Sequence, residues 1–281
     1  MRQILVLSLA CAALTATSTS RLAAGAGTLR TVYFSAVDAS GAAVSDLTSA
    51  DLAVKEGGKE RTIDSVGPAT EKMQVFLLID DGGSGAFQGS VSQFINATQG
   101  KAQVAISALN PQPMRLTEFT ESFDDFKTAI ERLGPRGRIQ TVGEQIIGAV
   151  EFAAKELVKR KAARSSIVVM TVGGEQAQST EADPALNALK ASGASLSVVY
   201  LRGVELGKVL GDGPKRSGGL SQDVTAGVPL GPVLDKIAQN LLNQYVLTYT
   251  LPDGTKPNER LELTTSRKGV TLRAPSRVPD K

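Results

Sequence analysis

The stretch MQVFLLIDDGGS, residues 73–84, decides the fold that this sequence predicts. Six of the seven residues from Met73 to Ile79 are apolar, and an apolar run of this length is typical of a strand buried on both faces. The acidic and Gly-rich residues that follow predict a loop at the carboxyl end of the strand. Ligands of parallel sheets bind at these carboxyl ends. We therefore expect a parallel sheet with a functional site formed by the loops after Ile79, near Thr141 and after Thr171.

Strands alternate with amphipathic helices from this stretch onward to residue 243. The pattern predicts a helix to about residue 98, strands at 102–109 and 114–120, helices at 122–133 and 141–161, a strand at 166–171, a helix at 183–191, a strand at 195–201 and a helix at 229–243. Such alternation is typical of an α/β fold, in which a mostly parallel sheet carries helices on both faces. We assign this domain to residues 73–243.

The flanking segments are rich in strand-forming residues. Residues 28–70 predict a small β unit, and residues 244–276 predict an antiparallel tail that packs on this unit or on the main sheet. Residues 203–228 contain several glycines, and we interpret them as a loop whose Gly-rich stretch 211–219 is flexible and lies on the surface.

Residues 1–26 have the features of a secretory signal peptide. Arg2 precedes an apolar stretch of 13 residues, and Ala24-Gly25-Ala26 offers a cleavage site. This stretch is shorter than the roughly 20 residues that span a bilayer, so we expect export with cleavage and no stable membrane insertion afterwards. The mature chain would be periplasmic, secreted or associated with the cell surface.

The charge balance argues against nucleic acid as a partner. Cleavage after Ala26 removes Arg2 and Arg21 from the 31 basic residues, which leaves 29 against 28 acidic residues. Nucleic-acid binding requires clustered positive charge, and a net charge of +1 provides no such excess. We expect a protein partner instead.

The low counts of reactive residues exclude most hydrolytic chemistry. The chain has no His and one Cys, so Ser-His-Asp, Cys-His and His-ligated zinc sites are impossible. A hydrolase without His would be the remote alternative, with Ser84 as nucleophile and a lysine such as Lys101 as base. We expect a non-catalytic protein.

Three blocks of the sequence carry a family resemblance. Residues 75–84 resemble the first strand and loop of a von Willebrand factor type A domain, in which Asp-x-Ser-x-Ser binds a divalent cation. Residues 44–59 and 237–249 resemble the segments that flank this domain in the acidobacterial VWFA-related family. The resemblance implies a Rossmann-like A-type domain that acts as a protein-interaction or adhesion module. A structural or assembly role in the cell envelope is the alternative.

The metal motif of that family is incomplete in this chain. The resemblance implies that Asp80, Ser84 and Thr141 hold Mg²⁺ or Ca²⁺, but Gly82 replaces the first serine and Val172 replaces the second aspartate. Because the affinity of a hard cation depends on the number and charge of its ligands, we expect weak metal binding or none. The alternative interpretation is a decayed site whose Asp80 and Ser84 hydrogen-bond the loop and cap the following helix.

The same loops predict a partner-binding surface. We assign it to Asp81, Gly82, Gly173 and Glu175, which follow two predicted strands of the sheet. Asp81 and Glu175 are also the carboxylates that could replace the missing metal ligands.

Overall fold

A computed structural model describes residues 27–137, 143–175 and 179–279. The predicted signal peptide and the predicted metal ligand Thr141 lie outside these residues. The strands are β1 Thr28–Val37, β2 Leu52–Glu56, β3 Lys59–Arg61, β4 Ile63–Pro68, β5 Met73–Asp80, β6 Ala102–Ala108, β7 Met114–Thr120, β8 Arg164–Thr171, β9 Ser195–Leu201, β10 Ser221–Val224, β11 Tyr245–Leu251, β12 Leu261–Thr265 and β13 Thr271–Arg273. The helices are α1 Gln88–Thr98, α2 Phe123–Arg132, α3 Gly143–Lys159, α4 Ser179–Ser192, α5 Lys208–Ser217 and α6 Gly231–Leu242.

Six of the described strands form the central sheet, in the order β10-β9-β8-β5-β6-β7. All neighbouring pairs are parallel except β6 and the edge strand β7. Helices α1, α2 and α6 pack on one face, and α3, α4 and α5 pack on the other. If β5 is taken as the first strand of the sheet, the order of the strands matches that of doubly wound α/β sheets. The predicted α/β fold class is confirmed.

A flanking β unit combines segments from both ends of the chain. Its sheets have the orders β13-β1-β11-β4 and β12-β2-β3. Strand β11 pairs with β1 and β4, while β12 pairs with β2 and β13 pairs with β1. The strands that follow α6 therefore complete the sheets that begin before β5, around a core of their own that includes Phe34, Leu247 and Tyr249.

Arg164 connects this β unit to the central sheet. It is the first residue of β8 and is buried, and burial lowers the pKa of its guanidinium. The guanidinium donates hydrogen bonds to the backbone carbonyls of Ala69, Glu71 and Leu241 and to the side chain of Gln244. Ala69 and Glu71 lie on the connection from the β unit to β5, and Leu241 and Gln244 lie where the chain returns from α6 to β11. One side chain therefore bonds to both connections between the units.

The interpretation of residues 203–228 as a flexible loop is wrong. Helix α5 and edge strand β10 lie within this segment. A Cβ atom on Gly213 would lie 2.6 Å from Leu196 Cδ2, and one on Gly219 would lie 1.9 Å from the Leu196 carbonyl oxygen. These glycines allow α5 and the chain after it to approach β9 closely. Composition alone cannot tell glycines that permit close packing from glycines that provide flexibility.

None of the helices in the described ranges combines the length and the apolar character that a bilayer crossing requires.

Replacing Gly219 by Ala tests this account of the segment. We expect a loss of about 3 kcal/mol in the free energy of unfolding, because the added methyl must displace the backbone of β9. Gly148→Ala is the control, since Gly148 lies inside α3 with open space around it, and alanine there should stabilise by about 1 kcal/mol. Urea denaturation measures both changes, and equal stability of Gly219→Ala and the parent protein would contradict the close packing.

Candidate functional site

The switch point of the central sheet lies at the carboxyl end of β5. Strand β6 lies on one side of β5 and β8 lies on the other, so the connections after β5 and β8 diverge and leave a crevice between them. Asp80 at the end of β5 is paired in register with Thr171 at the end of β8. The loops that begin at these two residues form the candidate site.

Asp80 is buried at the base of the crevice. Its Oδ2 accepts a hydrogen bond of 2.6 Å from the Thr171 hydroxyl, whereas its buried Oδ1 accepts none from the described residues. Burial raises the pKa of this carboxyl, although the Thr171 hydrogen bond opposes the shift. The Thr171 hydroxyl also accepts from the amides of Gly173 and Gly174, which joins both loops to one group.

Asp81 faces inward and organises the loop after β5. Its side chain is 1% exposed. Oδ1 accepts from the Gly83 amide at 2.9 Å and from the Arg136 guanidinium at 2.6 Å, and Oδ2 accepts from the Gly85 amide at 2.9 Å. Three donors thus surround one carboxylate, and charge-assisted bonds of this kind are the stronger ones in proteins.

Arg136 supplies a fixed positive charge beneath this loop. Its side chain is 17% exposed. Its backbone amide donates to the Gly83 carbonyl at 2.7 Å, and its guanidinium also donates to the carbonyls of Arg132 and Gly134. The chain can approach this closely only because residue 85 is glycine, with φ of +74° and a hypothetical Cβ 2.9 Å from Pro135 N.

Among the described residues, Ser84 bonds only within its own loop. Its hydroxyl donates to the Asp81 carbonyl at 2.7 Å and accepts from the Ala86 amide at 3.2 Å. Helix α1 begins later, at Gln88, and Phe87 occupies its N-cap without a side-chain hydrogen bond. The prediction that Asp80 and Ser84 cap this helix is therefore wrong, because the helix starts beyond their reach.

Glu175 is buried against the start of α5. Its carboxylate oxygens accept from the amides of Val209 at 3.0 Å and Leu210 at 2.6 Å, where a helix N-terminus favours negative charge. The prediction that Asp81 and Glu175 face a partner is wrong for both side chains, because internal donors hold them. Gly82 and Gly173 are half-buried near the crevice.

The described residues do not fit a divalent cation here. Gly82 offers no side-chain oxygen, Val172 is apolar, and Arg136 already neutralises Asp81. No group of three or more Asp, Glu, His or Cys side chains in the described ranges could hold a metal ion. A hard cation requires six or more oxygen ligands with carboxylates among them, and Asp80 is the one carboxylate that retains a buried oxygen without a hydrogen bond from the described residues.

The geometry also gives no support to a Ser84–Lys101 pair. Lys101 precedes β6, whose first residue is level with Met73 at the amino end of β5. Ser84 follows the carboxyl end of the same strand. Seven residues at about 3.3 Å each separate the two ends by about 23 Å, so a proton cannot pass directly between the two side chains.

Apart from Arg202 and Glu205, which are exposed after β9, part of the exposed carboxyl edge is uncharged, and we call this part the crest. It consists of three exposed or half-exposed segments, residues 84–86, 111–114 and 225–229. They follow β5, β6 and β10 and contain no Asp, Glu, Lys or Arg. Val228 is 54% exposed here. The sequence interpretation missed the last two segments: the strand before residues 111–114 was predicted and could have been aligned at this edge, whereas β10, before residues 225–229, was not predicted.

The likeness of this chain to known proteins is one of fold. No family model and no curated protein matches the sequence. Among solved structures, the SpRpn10 VWA domain has 15% identity over 58% of this chain and 94% of that one, with a TM-score of 0.45. This chain is similar in fold to von Willebrand factor type A domains.

Two bacterial structures have the same kind of likeness. A von Willebrand factor type A protein from Catenulispora acidiphila is 9% identical over 90% of this chain and 74% of that one, with a TM-score of 0.43. BatB from Bacteroides thetaiotaomicron is 14% identical over 60% of this chain and 97% of that one, with a TM-score of 0.44. At these identities the similarity to VWA structures concerns the fold alone.

Replacing Asp81 by Asn tests the role of the internal ion pair. We expect a loss of about 3 kcal/mol in the free energy of unfolding, because Arg136 would remain largely buried without its counter-charge. Asp223→Asn is the matched control, since Asp223 pairs with Arg202 on the surface, and its loss should cost about 0.5 kcal/mol. Chemical denaturation measures both, and equal losses in the two variants would contradict the organising role of Asp81.

Proposed function

We propose that this chain is an exported, non-catalytic protein-interaction module of the acidobacterial VWFA-related type that binds its partner without a divalent cation. The pair between Asp81 and Arg136 at the switch point carries the proposal. It shapes the loop after β5 from inside the protein, at the edge where ligands of doubly wound sheets bind.

The distribution of charge supports binding without metal. A metal-dependent site presents an open cation that a partner's carboxylate completes. Here a guanidinium lies beneath the loop, bonded to Asp81 and to backbone carbonyls. A second positive charge in the crevice would be repelled by Arg136 and would meet one carboxylate, Asp80, whose pKa burial has raised.

The chemistry of the crest supports a protein as partner. Its three segments offer backbone groups, small side chains and the exposed apolar side chain of Val228. Such a surface suits apolar contact and hydrogen bonding to a polypeptide. It lacks the clustered positive charge that nucleic acid requires.

Capture experiments with crest variants test the proposal. Residues 27–281 are immobilised and exposed to an envelope extract of the source organism, in EDTA and in millimolar Mg²⁺, and retained proteins are identified by mass spectrometry. We expect one partner to be retained equally in both buffers. Val228→Arg should reduce its retention at least tenfold, because the change places a charge in the crest.

Leu29→Arg is the matched control, since Leu29 is an equally exposed apolar residue, 59% accessible, on β1 of the flanking unit. It should leave retention unchanged. Retention that requires Mg²⁺, or that Val228→Arg leaves intact, would overturn the proposed surface.

A further inference from the structure

A second cleft lies away from the crest, between α6 and the flanking β unit. It has a volume of about 480 Å³, within the range of small-molecule sites in proteins. Its walls are the end of β1, residues 40–43 of the turn that follows, one side of α6 and the end of β13. Asp80, Asp81 and Arg136 take no part in it, so it is separate from the site described above.

Three side chains at the back of this cleft form a connected polar group. Ser35 on β1 and Arg273 on β13 are paired in register, so their side chains share one face of the sheet. Both reach Asn240 of α6, where Oδ1 accepts from Ser35 Oγ at 2.7 Å and from Arg273 Nη1 at 3.0 Å. Two elements of the β unit thus fix the orientation of one helical side chain.

The two hydrogen bonds to Asn240 Oδ1 fix the side-chain amide and leave its nitrogen, Nδ2, free to donate hydrogen bonds. The residue is 5% exposed, and two donors identify the atom that they contact as the oxygen. Nδ2 donates to no described residue, and it is not a fully enclosed atom. The cleft is the space that this residue lines. A nearly buried amide therefore offers two N–H groups to whatever occupies the cleft.

Arg273 is a half-buried cation without a counter-ion in the described part of the chain. A guanidinium has five N–H donors, and its one hydrogen bond to the described residues is that to Asn240. No described carboxylate lies within ion-pair distance of it. Burial lowers the pKa of Arg273, as expected where no anion offsets the loss of hydration.

Lys236 adds a second positive charge at the rim. Its stem packs over the turn, since a Cβ on Gly41 would lie 3.5 Å from Lys236 Cε. It forms no ion pair with a described residue. Asp235 is the one acidic residue among the described residues that line the cleft, against the two basic residues Lys236 and Arg273. The cleft is therefore positive overall, with its cations placed at the back and at the rim.

We propose that this cleft binds an organic carboxylate. The planar fork of Arg273 matches the geometry of a carboxylate group, the amide of Asn240 donates a further hydrogen bond, and Lys236 meets a second negative charge at the rim. Binding would supply the counter-ion that Arg273 lacks among the described residues. The site is independent of the proposed function of the crest.

Calorimetric titration with succinate tests the proposal. Succinate is the probe because it is a small dicarboxylate, with one carboxylate for Arg273 and a second for Lys236, which both line the cleft. The titration uses residues 27–281 at constant ionic strength, with inorganic phosphate in a parallel titration. We expect saturable binding of succinate, and weaker binding of phosphate.

Variants of Arg273 and Lys236 distinguish specific binding of succinate in the cleft from a general attraction of anions to positive charge. Arg273→Gln should weaken succinate binding at least tenfold, Arg273→Lys should weaken it several-fold because the charge stays but the fork is lost, and Lys236→Gln should weaken it a few-fold. Arg202→Gln is the control, since Arg202 is an exposed arginine that pairs with Asp223 and does not line the cleft, and this variant should bind like the parent protein.

Three results would overturn the inference. These are the absence of saturable succinate binding, unchanged binding by both Arg273 variants, and tighter binding of phosphate than of succinate. If Arg273→Gln does not fold, as judged by its circular dichroism, the Arg273→Lys and Lys236→Gln variants decide the question by the same criterion.

Discussion

The bond between Asp81 and Arg136 is the constraint on which the candidate site depends. It joins a carboxylate that is almost fully enclosed to a guanidinium 55 residues later in the chain, at 2.6 Å. Enclosing either charge alone would be costly, whereas the pair with its additional hydrogen bonds satisfies both. The amides of Gly83 and Gly85 bond to the same carboxylate, so the path of the loop follows from this one interaction.

This arrangement has consequences for what the switch point can bind. An A-type fold that uses a divalent cation must leave several oxygen atoms open toward the crevice. In this chain Asp81 points the other way, and the two positions that depart from the metal motif of A-type domains, Gly82 and Val172, bring no side-chain oxygen. What remains open is the crest, whose uncharged segments follow β5, β6 and β10 at the same edge of the sheet.

The sequence predicted the fold well because its strongest signal is local. Strand β5 is recognisable since nearly every residue from Met73 to Ile79 is apolar, and alternation with amphipathic helices then determines the class of sheet. The error at residues 203–228 has a physical origin. Glycine permits both flexibility and close packing, and only the position of Leu196 beside Gly213 and Gly219 shows which applies here.

The site was less predictable because its contacts are distant in sequence. Two adjacent aspartates follow β5, and nothing local indicates that Asp81 turns inward while Asp80 bonds to Thr171. Arg136 lies in a short basic segment without a motif, so its role appears only when the loops are placed together. Glu175 likewise finds its donors at the start of α5, in a helix that the sequence had not suggested.

Thermal unfolding of residues 27–281 in EDTA, and then across millimolar Mg²⁺, Ca²⁺ and Mn²⁺, tests the central claim most directly. An ion that binds only the folded state would stabilise it by about 2.7 kcal/mol at a hundredfold excess over its Kd. Because Arg136 already provides the positive charge at this loop, we predict the same unfolding temperature in every buffer. A saturable rise in that temperature that Asp80→Ala abolishes would contradict the account.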